Sequence, residues 1–293
     1  MTGIRRVSQL GTTGESTYVD GSIQAVDIAA NAVTRAKLAT NLMFDIDLLV
    51  VAGGGAGGHD VGGGGGAGGY IYRTGHQLFI PSSNSIPVVV GAGGVPNTIN
   101  ASSSGNGGNS SFGSIVAFGG GGGGNYTGGA GSVGGSGGGG VGYTSPASSA
   151  VGILGQGNAG GATIAYGNAT TGAGGGGAST VGGAMVSNIS GFAEGGLGAW
   201  SYISGSPVYY CSGGRGGGDS WIGAAAGAAN RGQGGDGAGN TATGFAGGSG
   251  VVIVRYLTSD ASGLTITGGT ATTDGSYTVR TFSTVGSTTF GIA

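Results

Sequence analysis

Runs of glycine, among them Gly62–Gly66, Gly119–Gly124, Gly137–Gly140 and Gly174–Gly177, recur along a chain that holds 80 glycines in 293 residues. A glycine loses more backbone entropy on folding than any other residue and offers no side chain to bury. Such a run is therefore either disordered or held by hydrogen bonds from its backbone to other backbones. Composition decides between the two. Charged residues make up only 7% and prolines number five, unlike a charged disordered tract or a proline-rich linker. Apolar segments also interrupt the runs: Leu48–Val51, Ile86–Val90 and Val251–Val254 read as strands. Collagen needs a strict three-residue glycine period with abundant proline, and neither is present.

These observations predict a stack of extended glycine segments. A polyproline-II-type helix has three residues per turn and no internal hydrogen bonds, so its N–H and C=O groups all point outward. Without side chains, several such helices can lie side by side and bond to one another. The Gly62–Gly69 stretch would span roughly 25 Å at ~3.1 Å per residue. The expected fold class is mostly β and irregular with very little helix: a polyglycine-II sandwich framed by β-strands.

Three segments follow from composition. Residues 1–45 hold a cluster of charges (Arg5, Arg6, Glu15, Asp20, Asp27, Arg35, Lys37) and little glycine. Two decapeptides, 21–30 and 31–40, align Ile23 over Val33 and Ile28 over Leu38. Two such units cannot form a core alone, which makes these four residues oligomerisation candidates. Residues 46–256 are the glycine-rich body, opened and closed by apolar strands that are expected to pair in one sheet. Residues 257–293 return to period-two patterning, with turn signals at Gly268–Gly269 and Asp274–Gly275. They are expected to form a small C-terminal β appendage, on this body or on a neighbour.

Asp20–Thr40 resembles the repeats of bacteriophage tail fibres, and the alternative reading of the same residues is an amphipathic helix. The body resembles the glycine-rich domain of phage fibres and adhesins. The features that carry this likeness are the Gly62–Tyr70 run, Val88–Gly94, Gly107–Gly113 and a further glycine run. That resemblance implies a shaft-like N-terminal segment, a homotrimer, and attachment of residues 1–45 to other tail or virion proteins. It also implies that inserts between the runs touch a host-surface glycan or outer-membrane protein. The Tyr277–Phe282 segment is similar to one that usually precedes such domains; here it follows the body.

Motifs for chemistry are weak. Gly53–Gly58 after an apolar strand fits a dinucleotide fingerprint, but His59-Asp60-Val61 and five more glycines cannot start a helix there. The two histidines, His59 and His76, and the single Cys211 are too few for a zinc site within one chain. His59-Asp60 reads as a turn rather than an acid–base pair. The body's acids, Asp47, Asp60, Glu194, Asp219 and Asp236, lack paired glycosidase spacing. The expectation is no enzyme, no metal and no cofactor, and a net charge of −2 disfavours nucleic acid.

The aromatic inserts carry the recognition signal. Trp200, Tyr202, Tyr209, Tyr210 and Trp221 lie between runs, with Tyr126, Tyr143 and Tyr166 in earlier inserts. Rings set among Ser, Asn and Gly offer large contact area at low entropic cost; the competing reading is an aromatic plug. The sequence thus points to a virion fibre or fibre-tip adhesin that binds a receptor. A purely structural fibre or decoration protein and an ice-binding protein are the alternatives.

Overall fold

A computed structural model describes residues 42–80, 84–97, 102–142, 149–163, 171–185, 192–218 and 224–293. The oligomerisation candidates Ile23, Ile28, Val33 and Leu38, and the aromatics Tyr143, Tyr166 and Trp221, lie outside the described residues.

The glycine segments form a lattice whose hydrogen bonds have the three-residue period of polyglycine II. In the Gly62–Gly69 run, Gly62, Gly65 and Gly68 donate to Ala238, Gly235 and Gly232. Gly63, Gly66 and Gly69 donate to Gly124, Gly121 and Phe118, and Gly64 and Ala67 donate to Ala173 and Gly176. Its carbonyls receive N–H groups from the runs around Gly55, Gly139 and Gly214. The central run is therefore surrounded by six others, and each of the six bonds to the next around the ring. This hexagonal arrangement satisfies a buried backbone without any side chain.

Close approach is what requires glycine here. A Cβ on Gly65 would lie 2.1 Å from the Gly55 carbonyl oxygen, and one on Gly53 would lie 1.9 Å from that of Ala92. Both obstacles are backbone atoms of neighbouring runs, which are themselves bonded in place.

At one end the runs continue into two antiparallel five-stranded sheets. The first contains β1 (Leu42–Val51), β2 (Tyr70–Ile80), β8 (Val251–Leu257), β10 (Thr270–Asp274) and β11 (Tyr277–Phe282), in the order β10-β11-β8-β1-β2. The second contains β3 (Asn84–Val90), β4 (Ser110–Phe112), β5 (Ile115–Ala117), β9 (Ile266–Thr267) and β12 (Gly286–Ile292), in the order β5-β4-β3-β12-β9. A two-stranded ribbon, β6 (Ala199–Ser201) and β7 (Val208–Tyr210), packs on the outer face of the first sheet.

The apolar strands at the two ends of the body pair as expected, from Asp47 opposite Arg255 to Val51 opposite Val251. Both strands are covered on two faces, which explains their unbroken apolar sequence. Leu48, Val50, Val252 and Val254 face the second sheet with Val88, Phe112 and Phe290. Leu49, Val51, Val251 and Ile253 face the ribbon, with Ile203, Tyr210 and Cys211.

Residues 257–293 are not an appendage. β11 pairs along β8 from Tyr277–Leu257 to Phe282–Val252, and β12 pairs along β3 from Gly286–Val90 to Ile292–Asn84. Phe282, Phe290 and Ile292 belong to the main core. The segment completes both sheets because β8 and β3 each have an edge that only these strands occupy.

Candidate functional site

The described runs alternate in direction, so the described turns between them lie at two opposite ends of the lattice. One is the sheet end. The other, the far end, is about 25 Å away along the Gly62–Gly69 run.

The far end is built on tight turns locked by two polar side chains. The chain reverses between Gly58 and Gly63, whose N–H···O bond is 2.8 Å. Asp60 and Val61 take φ of 52° and 51°, and Val61 is fully buried. A β-branched residue in the left-handed region is strained and needs its surroundings to hold it. The neighbouring turn supplies this: the Asp60 N–H donates to Ala242 O at 3.1 Å, and Asp60 Oδ1 accepts from the Thr241 N–H at 3.0 Å. Next to it, the fully buried Asn125 accepts from the His59 N–H at 2.7 Å and from Ser104 Oγ at 3.3 Å. His59-Asp60 is thus a turn, as its place after a glycine run suggests.

Tyr126 follows Asn125 at this end and is 41% exposed. The described residues that flank the inserts of Tyr143, Tyr166 and Trp221 also lie here. Gly142 donates to Val61 O, Thr171 bridges Gly218, and Gly217 donates to Gly62 O.

Trp200, Tyr202, Tyr209 and Tyr210 are at the sheet end, so the sequence candidates do not form one surface. Alternation along β6 and its turn puts Ser201 and Ile203 inward and Trp200 and Tyr202 outward. The two outward rings are 62% and 65% exposed. Trp200 packs across the ribbon on Tyr209 with ring centroids 5.0 Å apart, and the Tyr209 hydroxyl accepts the Gly198 N–H. Tyr210, unlike the exposed contact residue that its insert's composition suggests, is 3% exposed and packs against the first sheet, with the Arg231 guanidinium 5.4 Å from its ring centre. The period of two that turns Tyr209 outward turns Tyr210 inward. Burial raises its phenol above the usual value, against the lowering effect of Arg231. Tyr210 therefore contributes packing, not a contact surface.

A groove of about 300 Å³ runs along the flank of the lattice beside the ribbon. It is lined by residues that include Glu194, Leu197, Tyr209, Arg215, Gln233 and Asp236. Between the runs at 192–198 and 224–228 no further run is present among the described residues, and side chains serve the exposed N–H groups instead. Asp236 accepts from the N–H of Arg215 at 2.7 Å and of Ala225 at 2.9 Å, and Gln233 Oε1 accepts from Ala228 at 2.9 Å. Arg215 Nε is 3.1 Å from Glu194 Oε2. Burial raises the Asp236 carboxyl above its usual range, partly offset by the two N–H donors.

The fingerprint-like Gly53–Gly58 segment offers nothing to a phosphate. Its N–H groups go to Gly108, Gly248, Gly66, Gly105, Phe245 and Gly63, and a turn follows where a helix would be needed. Among the described residues no cluster of three or more His, Cys, Asp or Glu could hold a metal ion. Sequence reasoning missed Asn125 and the flank groove. Asn125 carries no local signal beyond being a polar residue at the end of a glycine run, and the groove residues are distant in sequence.

A lattice of backbone-bonded glycine helices framed by antiparallel sheets defines a class of protein, the glycine-rich domains. A family profile described as a glycine-rich domain matches residues 37–257, and the chain belongs to that family. No curated protein matches the chain by sequence.

Proposed function

We propose that the protein is a non-enzymatic virion component, a phage tail fibre or fibre-tip adhesin, that adsorbs to a host-surface glycan or outer-membrane protein. One observation carries this reading. The far-end turns gather opposite the sheets, and β1, the strand that follows the N-terminal segment, belongs to the sheet end. A chain attached to a particle through the segment that precedes β1 would present the far end outward, on a support that backbone hydrogen bonds make stiff. Tyr126 and the inserts at 143–148, 164–170 and 219–223 are then the contact elements. Three chains joined through Ile23, Ile28, Val33 and Leu38 would present three copies of that end, and avidity would compensate for weak single contacts.

Exchanging those inserts for a relative's, with the glycine runs kept, tests the reading. A changed host range or adsorption rate is expected. Adsorption that is identical after the exchange overturns it in favour of a purely structural fibre. Sedimentation of the full chain is expected to give the mass of a trimer, and a monomer would remove the shared axis.

A further inference from the structure

We infer that the flank groove and the Trp200–Tyr209 pair together form a second binding site, for a short stretch of neutral glycan. The inference rests on the surface-recognition reading above, but concerns a different place on the molecule and has its own test.

The aromatic pair needs an explanation that folding does not supply. Ile203, Val208 and Tyr210 anchor the ribbon to the sheet, so docking of the ribbon does not use the outward ring of Trp200, one face of which stays open beyond its contact with Tyr209. An indole left 62% exposed and stacked on Tyr209 offers an apolar platform. Tyr209 joins that platform to the groove, because it touches Trp200 on one side and lines the groove on the other. The groove beyond it is polar and shallow, at the lower bound of the ~300–1,000 Å³ usual for small-ligand sites. A flat apolar ring beside carboxylate, guanidinium and amide groups matches a pyranose. One face of such a sugar is C–H and its rim is hydroxyl.

Charge narrows the class. Glu194 and Asp236 against Arg215 leave the groove with one net negative charge by formal count. The Asp236 oxygens and the Gln233 amide already hold the walls together, whereas Glu194, paired with Arg215 through Oε2, has a side chain that is 66% exposed and within reach of a ligand's hydroxyls. A polyanionic polymer would meet repulsion and find no unopposed cation cluster. A neutral or N-acetylated sugar can donate hydroxyl or amide hydrogens to Glu194 while its C–H face covers Trp200.

Saturation-transfer NMR on the full chain tests this, with chitohexaose, cellohexaose and maltohexaose at millimolar concentration and a polygalacturonate fragment as the anionic comparison. Transfer to at least one neutral probe is expected, with none to the anion. Trp200→Ala should weaken binding about tenfold or more, equivalent to about 1.4 kcal/mol, and Glu194→Gln should weaken it by less. Trp200→Ala removes an exposed ring, so unchanged circular dichroism serves as the folding control. No transfer from any neutral probe overturns the inference. So does binding that is undiminished in Trp200→Ala, or a preference for the anion. Exchange of the far-end inserts leaves this site intact, so a failure here and a failure of the adsorption reading give different results.

Discussion

In the lattice, Gly65 donates to Gly235, accepts from Gly214 and stands too close to Gly55 for any side chain. In the sandwich, Leu48 is fully buried between strands that pair through their backbones and is held by the side chains of the facing sheet. Both regions pair backbone with backbone, but they exclude water differently. The lattice does so by fitting backbone against backbone at distances no Cβ tolerates. The sandwich does so by filling space with Leu, Val and Phe. The lattice is therefore expected to be intolerant of added atoms, and the sandwich of removed ones.

The largest effect should come from Gly65→Val. The side chain would enter the Gly55 backbone, which its own neighbours hold, and the expected outcome is loss of soluble folded protein. Gly75→Ala is the matching control. Gly75 has nothing within 4 Å of the new Cβ and a φ of 59°, so its cost should be only ~1–2 kcal/mol for the left-handed backbone. Equal damage from the two would break the distinction between close approach and backbone conformation. In the sandwich, Leu48→Ala should cost about 2–5 kcal/mol by denaturant unfolding. The same experiment on Asp47→Ala should show about 1.5–3 kcal/mol. Asp47 Oδ2 lies 2.7 Å from Arg255 Nη2 across β1 and β8, and its Oδ1 accepts the Gly75 N–H.

Acid titration separates the flank groove from both regions. Burial raises the Asp236 carboxyl, so the folded state holds this proton more tightly than the unfolded chain does. The resulting penalty is present above the folded-state pKa and is relieved as pH falls through it. Melting temperatures of the wild type should therefore gain on those of Asp236→Asn as pH falls from neutral into the carboxylate range. A gap that stays constant with pH would remove the burial effect. The smallest effect is expected from Trp200→Ala, about 0.5–1.5 kcal/mol for the lost cross-strand ring pair with Tyr209. A larger loss would make the exposed indole a structural element of the ribbon.

Several of these contrasts were legible before any fold was known. The strands at Leu48–Val51 and Val251–Val254 showed as unbroken apolar runs, and their pairing followed from their places at the two ends of the body. The turns at Gly268–Gly269 and Asp274–Gly275 are where their composition put them. β2 was missed because its eleven residues include Arg73, Thr74, Gly75 and His76, which give no apolar period. The insertion of β11 and β12 into the two sheets depends on which edges other strands leave open. No local pattern records that.

The candidate site was legible only in part. Composition picked out the aromatic inserts, and Tyr126, Trp200, Tyr202 and Tyr209 are at the surface. Composition could not say that Tyr126 and Trp200 lie at opposite ends, nor that Tyr210 turns inward beside Tyr209. The sequence by itself determined that the glycine runs must bond through their backbones, with three residues per turn, and that specificity must come from what lies between them. Only the tertiary structure decided which run lies at the centre, which end each insert reaches and where the lattice is interrupted by the groove. The physical reason is that glycine runs are nearly identical to one another. With no side chains to distinguish partners, their order is set by the direction and length of the connections, and those act only once the whole array has formed.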